Sequence, residues 1–162
     1  MASTVKGSKL KVILTEQIFL NGRDHGSKNE LNISGIKDIF KRIVTVAAGD
    51  DATVLVFKST TAIADGALDL QGVKYIRITK LDDTNSVGLS LQIDSDEDNS
   101  AANESCTILL EAGRSFMMGT PDEGIHVNDD AADILTALTD LESIIINPGD
   151  NAGTVEVFAA ST

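Results

Sequence analysis

Apolar and polar residues alternate most regularly in the middle of the chain. Apolar side chains occupy every second position from Val87 to Ile93, and Gly88, Ser90 and Gln92 separate them. Successive side chains of a strand point to opposite faces, so this alternation is typical of a strand with one buried face. The segment predicts a half-buried β-strand.

Similar segments recur along the rest of the sequence. They are rich in β-branched and apolar residues and lie at 10–14, 39–46, 53–57, 73–81, 106–111, 115–118, 143–146 and 154–158. Turn-forming residues separate them at a spacing of roughly 8–12 residues, as in sandwiches and barrels. Nearly all the connections are too short for a crossover helix, which favours antiparallel pairing. We predict an all-β protein, an antiparallel β-sandwich of jelly-roll or Ig-like connectivity.

Turn residues predict several hairpins. Asn21-Gly22 suits a tight hairpin turn because both residues tolerate positive φ, although a longer loop after it is also open. The strand-like segments between Val73 and Met118 are expected to form an antiparallel meander. Residues 143–158 are expected to form a hairpin that closes the chain.

Residues near 130–141 are expected to form one short helix, and the alternative is an irregular loop. Ile134, Leu138 and Leu141 recur at the spacing of one helix face. Asp129 or Asp130 can cap its first turn, because a carboxylate accepts hydrogen bonds from the free amides there. Such a helix has only two or three turns and must rest on the sheet to be stable.

Charge narrows the range of partners. The 162 residues carry a net charge of −12, spread unevenly. Residues 1–42 hold eight basic and four acidic residues, a balance of +4, whereas residues 43–162 hold five basic and 21 acidic residues, a balance of −16. An acidic body repels phosphates, and no run approaches the roughly 20 apolar residues that span a bilayer. We therefore expect neither a nucleic-acid nor a membrane partner.

The basic N-terminus has two interpretations. It serves solubility alone, or residues 1–11 form a basic arm that contacts an acidic surface through Lys6, Lys9 and Lys11. On the second interpretation, residues 12–162 form a single sandwich domain. These three lysines are the predicted interaction residues.

The acidic loop after the alternating strand is a candidate cation site. Asp94, Asp96 and Asp98 lie at alternate positions, and Ca²⁺ prefers six to eight oxygen ligands. The loop begins like an EF-hand but has Asn99 where that motif needs Gly, and Ser105 where it needs Glu. The alternative is a solvated hairpin tip whose like charges discourage aggregation. The expectation is no cofactor, with Ca²⁺ as the open alternative.

Candidate catalytic groups are sparse. The sequence contains two histidines, His25 and His126, and one cysteine, Cys106. No nucleophile motif, phosphate-binding loop or zinc-binding pattern accompanies them. Cys106 stands in an apolar run and is predicted to be a buried small hydrophobe. We therefore expect a protein that is not an enzyme and has no catalytic residues.

Several segments resemble small structural proteins of tailed phages, of the marine or cyanobacterial phage type. The resemblance is carried by Val73–Asn85, Leu109–Phe116, Leu141–Ile144 and Val155–Phe158. It covers about half of the chain, and residues 94–103 look like an insertion relative to it. These motifs consist of hairpin residues, so the resemblance transfers no functional residue.

The resemblance implies a virion component assembled in the host cytoplasm. It suggests a capsid decoration (cement) protein, or a head–tail or fibre-associated part, with a homotrimer favoured. Its partners would be the major capsid protein or another virion protein. Ile144–Ile146, apolar on both faces, is a candidate for burial in such an assembly. The alternative function is a Ca²⁺-dependent or carbohydrate-binding adhesion module.

Overall fold

The computed structural model describes residues 5–58, 67–69, 72–93, 104–119, 127 and 141–162. These residues form strands and contain no helix. The strands are β1 (Ser8–Thr15), β2 (Phe19–Leu20), β3 (Arg23–Asp24), β4 (Lys28–Ile36), β5 (Asp38–Val46), β6 (Ala52–Lys58), β7 (Leu68–Asp69), β8 (Val73–Lys80), β9 (Val87–Ile93), β10 (Glu104–Leu110), β11 (Ser115–Gly119), β12 (Leu141–Asn147) and β13 (Gly153–Ser161). The predicted all-β fold is confirmed. The helix predicted near 130–141 falls on residues outside those described, apart from Leu141, which begins β12.

Two sheets form the body of the protein. One has the strand order β11-β8-β13-β5, and the other has the order β10-β9-β12-β6-β7. All pairings are antiparallel except that of the two-residue β7 with β6. The main apolar core lies between the two sheets, so the predicted antiparallel sandwich is confirmed.

The strand order is that of a jelly roll. The chain passes from one sheet to the other between β5 and β6, β7 and β8, β8 and β9, β10 and β11, β11 and β12, and β12 and β13. β5 pairs with β13 while β6 pairs with β12, and β8 pairs with β11 while β9 pairs with β10. Paired segments therefore wrap together around the core, as in a double-sheet jelly roll.

Two expected connections are wrong. β8 and β9 do not pair, and β10 and β11 do not pair, so residues between Val73 and Met118 form no meander. β12 and β13 also lie in different sheets, so residues 143–158 are not a closing hairpin. A strand with one buried face shows the same alternation in two arrangements: the next strand in sequence can pair with it, or it can pack across the core. Long-range packing selects the second arrangement here.

The alternating strand behaves as predicted. Val87, Leu89, Leu91 and Ile93 are buried, while the polar positions between them face outward. In β12, Ile144 and Ile146 lie in the core, and the side chain of the residue between them faces away from it. The period of two thus assigns each side chain of these central strands to the core or to the outer face.

A long hairpin precedes the sandwich. β1 pairs with β4, and β2 pairs with β3, in one unchanged register from Lys9–Ser34 to Leu20–Arg23. Backbone hydrogen bonds between the two strand pairs continue the ladder. The two-residue turn at its end has φ of 52° at Asn21 and 75° at Gly22, so the predicted tight turn is confirmed and is of type I′. We call residues 8–36 the N-terminal ribbon.

The base of the N-terminal ribbon lies on the outer face of the four-stranded sheet. Ile33 and Ile36 are buried there against Tyr75 and Ala160, and the rings of Tyr75 and Phe158 meet edge to face at 6.0 Å. Leu10, Val12 and Leu31 cover the edge of this second, smaller core. The ribbon is therefore anchored at one end only.

Candidate functional site

The free half of the N-terminal ribbon is the most exposed regular structure among the described residues. From Ile13 to Glu30 every residue except Gly26 is exposed. The extended segment from Val12 in β1 to Leu20 in β2 spans about 27 Å at the usual rise per residue. An isolated two-stranded hairpin is marginally stable in water, so contact with another surface would stabilise this half of the ribbon.

Apolar side chains cluster at the tip of the ribbon. Ile18, Phe19 and Leu20 are consecutive, and each is more than half exposed, with Phe19 at 67%. Single exposed apolar residues are ordinary, but a run of three in a folded protein is typical of a contact site. Arg23 follows directly after the turn. The tip thus combines apolar groups with a guanidinium, a composition enriched at protein interfaces.

The predicted interaction lysines lie at the start of the ribbon. Lys6 precedes β1 and is exposed, and Lys9 and Lys11 lie within β1 on its solvent side. The ammonium of Lys11 is 2.9 Å from a carboxylate oxygen of Glu30 on the paired strand. β1 therefore crosses the boundary expected between an arm at residues 1–11 and a domain after it.

Glu30 organises charge on this face of the ribbon. Its second carboxylate oxygen is 2.9 Å from the ammonium of Lys28. The two lysines, Lys11 first, hold the pKa of Glu30 below its ordinary value. The contact with Lys11 joins β1 to β4 at the point where the ribbon leaves the sandwich, whereas the contact with Lys28 lies within β4.

The part of the four-stranded sheet that the ribbon does not cover carries an ion-pair network. Glu156 on β13 accepts a hydrogen bond from Arg77 on β8 and lies 3.1 Å from the ammonium of Lys41 on β5. Arg77, followed by Lys41, holds the pKa of Glu156 below its ordinary value. The Arg77 guanidinium also lies over the ring of Phe158 at 6.0 Å. These cross-strand contacts tie three strands together and leave no charged group in this network unsatisfied.

An apolar cleft of about 300 Å³ lies between the ribbon and β11. Leu14 and Leu31 line it from the ribbon, and Tyr75 and Met117 line it from the sheet. Gly119 lies against this cleft, where a Cβ would be 2.8 Å from Tyr75 Cδ2 of the sheet and 3.4 Å from Leu31 Cδ2 of the ribbon. The cleft marks where the ribbon separates from the sandwich.

A wider depression of about 600 Å³ lies on the outer face of the five-stranded sheet. We call it the polar trough. Its lining includes Ser90, Gln92, Thr107, Leu109, Ile145 and Asn147. Gln92 and Thr107 both donate hydrogen bonds to the Ser90 hydroxyl, at 2.8 and 3.0 Å. The floor is therefore a neutral network of hydroxyl and amide groups.

Two apolar groups interrupt this polar floor. Leu109 on the edge strand β10 is 66% exposed, and Ile145 on the central strand β12 is half-buried. Among the described residues that line the trough, Asp51 carries the one charge. The two neighbouring loops add Asp50 and Asp150. The Gly49 amide of one loop donates a hydrogen bond to the Gly149 carbonyl of the other. The trough is thus neutral at its floor and acidic at its rim.

The remaining predicted groups are scattered. Cys106 is exposed, so its predicted burial is wrong: it faces the core side opposite Leu91, but β10 is the edge strand of its sheet, and no other described strand pairs with its outer side. His25 is exposed on the ribbon. His126 lies outside the described residues, and so do the proposed cation ligands Asp94, Asp96 and Asp98.

The described part of the chain contains no cluster of three or more His, Cys, Asp or Glu side chains placed to hold a metal ion. The same residues include no helix with the length and apolar character needed to cross a membrane.

Sequence reasoning missed both the ribbon tip and the trough. The tip had a signal, since three apolar residues stand directly before the Asn21-Gly22 turn. The trough had a weaker signal, the run of small polar residues at the alternate positions of β9. Its depth depends on three strands lying side by side, which no local pattern encodes.

Comparison of the chain with protein-family models, with curated proteins and with solved structures finds no match.

Proposed function

We propose that this chain is a non-enzymatic structural protein of a virion, a capsid decoration (cement) protein that binds and stabilises the capsid lattice. The observation that carries the proposal is the N-terminal ribbon, whose exposed apolar tip is suited to contact another protein. The expected partners are the major capsid protein or another virion protein, and the expected state is a homo-oligomer, with a trimer favoured. The expected location is the virion.

Two further observations support this role. The sequence resemblance to structural proteins of tailed phages falls on segments that form β8, β11, β12 and β13. Jelly-roll sandwiches also recur in viral capsid proteins and in lectins. This second point is an analogy of fold and counts for less than the surface itself.

The physical requirements of a cement protein fit this architecture. Such a protein must be rigid and must spread contacts over more than one neighbour. The double-sheet core supplies rigidity, and the ribbon extends the reach of the chain by about 27 Å. Contact through a few apolar side chains at the end of a stiff element concentrates binding energy in a small area.

Purified virions of the phage that encodes the chain provide the test. We expect mass spectrometry to find the chain in them and immunogold label to surround the head. Virions assembled without the chain should release DNA at a lower temperature than the wild type. Absence of the chain from virions, label confined to the tail, or unchanged heat resistance would each contradict the decoration role.

The polar trough favours a second candidate, a carbohydrate-binding module. Hydroxyl and amide groups such as those of Ser90, Gln92 and Asn147 suit sugar hydroxyls. The described lining contains no aromatic ring on which a sugar would stack. A glycan array with the wild type and a Gln92→Ala variant tests this candidate, which predicts binding that the variant loses.

A further inference from the structure

We infer that the tip of the N-terminal ribbon of one copy docks into the polar trough of a second copy of the same chain. The inference rests on the proposed structural role, for which it names one partner. Donor and acceptor lie on opposite faces of the sandwich, since the ribbon is anchored on the four-stranded sheet and the trough lies on the five-stranded sheet. A ribbon therefore cannot fill the trough of its own chain.

Charge favours a second copy as the occupant. The ribbon carries four basic and three acidic side chains, a balance of +1, whereas residues 43–162 carry −16. Two such acidic bodies repel each other, whereas residues 8–42, with seven basic and four acidic side chains, are attracted to another copy's body. Contact through this N-terminal part of the chain, which includes the ribbon, is thus the electrostatically favoured approach between two copies.

The local chemistry of tip and trough also matches. Phe19 and Leu20 lie on opposite faces of the tip, so a tip that enters end-on presents one apolar side chain to Leu109 on β10 and the other to Ile145 on β12. Arg23, beside the turn, is placed to meet the acidic rim that includes Asp51. The neutral floor needs no counter-charge, so docking buries apolar groups without stranding an ion.

Other exposed apolar positions fit the tip less well. Ile39 and Ile43 on β5 are more than half exposed, but they flank Lys41 and Arg42 on the same strand. A ribbon that carries Arg23 meets like charge there. The trough lacks a basic group among its described lining residues.

Docking of this kind is heterologous, because the two surfaces differ. A heterologous contact closes into a ring when its rotation allows and otherwise forms an open chain. A ring of three copies would agree with the trimer expected from the sequence resemblance. Each copy would then have its ribbon covered and its trough filled.

Light scattering after size exclusion tests the inference with the full-length chain. We expect the wild type to form a closed oligomer. Phe19→Asp in the tip and Leu109→Asp in the trough should each remove that oligomer and leave monomer. Ile43→Asp is the matched control, since Ile43 is equally exposed but lies outside both surfaces, and it should keep the oligomer.

Mixing the two variants gives the sharper result. Phe19→Asp retains an intact trough and Leu109→Asp retains an intact tip, so an equimolar mixture should form a dimer and nothing larger. Circular dichroism checks that each variant is folded, and Leu20→Asp and Ile145→Asp serve as a second pair. A monomeric wild type, an oligomer that survives both substitutions, or a mixture that stays monomeric would each overturn the inference.

The outcome separates the inference from the proposed function. A chain found in virions but monomeric in solution refutes the docking and leaves the decoration role standing. An oligomer that depends on the tip and the trough, formed by a chain that is absent from virions, supports the docking and refutes the decoration role. A glycan that binds the trough of a monomeric wild type would also overturn the docking.

Discussion

The ammonium group of Lys80 pairs with the carboxylate of Asp82 at one end of the sandwich, and the Lys80 side chain has no exposed surface. Lys80 follows the alternation of β8 and so points into the core side of its sheet. Asp82 reaches it from the connection to β9 and also accepts a hydrogen bond from the Thr154 amide at 3.1 Å. The pair closes the end of the apolar core with one compensated charge.

Removal of the carboxylate should destabilise the fold. Asp82→Asn leaves the Lys80 ammonium buried without its counter-charge, which we expect to cost about 3 kcal/mol in the free energy of unfolding. Urea denaturation measures the change. Asp83→Asn, an exposed neighbour, is the control and should alter stability by less than about 0.5 kcal/mol. The double variant Lys80→Met with Asp82→Asn should recover most of the lost free energy of unfolding. If it is as unstable as Asp82→Asn alone, the buried charge is not the cause.

Stability should fall in acid through the same carboxylate. The hydrogen bond from Lys80, followed by that from the Thr154 amide, holds the pKa of Asp82 below its ordinary value of 3.8. A lowered folded-state pKa contributes stability above the unfolded-state value and loses it as the pH falls through the folded-state value. We expect urea midpoints to decrease below about pH 4, and Asp82→Asn should flatten this decrease. An equal slope in the wild type and the variant would contradict the assignment.

The turn of the N-terminal ribbon should be sensitive to a side chain at Gly22. Its φ of 75° lies in the left-handed region, where a residue with a Cβ costs about 1–2 kcal/mol. Gly22→Val should therefore speed amide hydrogen exchange in residues 13–30 while the main unfolding transition stays in place, because the tip lies far from the core. Asn21→Gly keeps the turn and should leave exchange nearly unchanged. A shift of the main transition by Gly22→Val would contradict this view of the ribbon.

Packing of Tyr75, against which the base of the ribbon lies, should depend on Gly119. A Cβ at that position would lie 2.8 Å from Tyr75 Cδ2, so Gly119→Ala must displace the Tyr75 ring. We expect a loss of about 1–3 kcal/mol, measured by thermal or urea unfolding. Gly88→Ala is the control, because its nearest contact would be an ordinary 3.4 Å to Thr107 Cγ2. Equal effects of the two substitutions would mean that the Tyr75 ring moves aside without cost, which would contradict the prediction.

Local patterns predicted the individual elements well. The alternation in β9 and the Asn21-Gly22 turn each correspond to the structure, because strand period and turn conformation depend on neighbouring residues alone. The alternation places Lys80 on the core side of β8, but its residue type gives no sign that the side chain is fully buried. Only its place at the end of the sandwich, beside Asp82, makes that burial tolerable.

The sequence by itself determined that the chain is all-β, where most of its long strands run and which side chains of those strands share a face. The tertiary structure alone decided that β8 pairs with β11 and not with β9, and that β12 and β13 lie in opposite sheets. It also decided that Cys106 is exposed and that the ribbon tip and the trough are on opposite faces. The physical reason is that a strand's alternation records that one face is buried, whereas the identity of the strands that bury it depends on contacts between residues far apart in the chain.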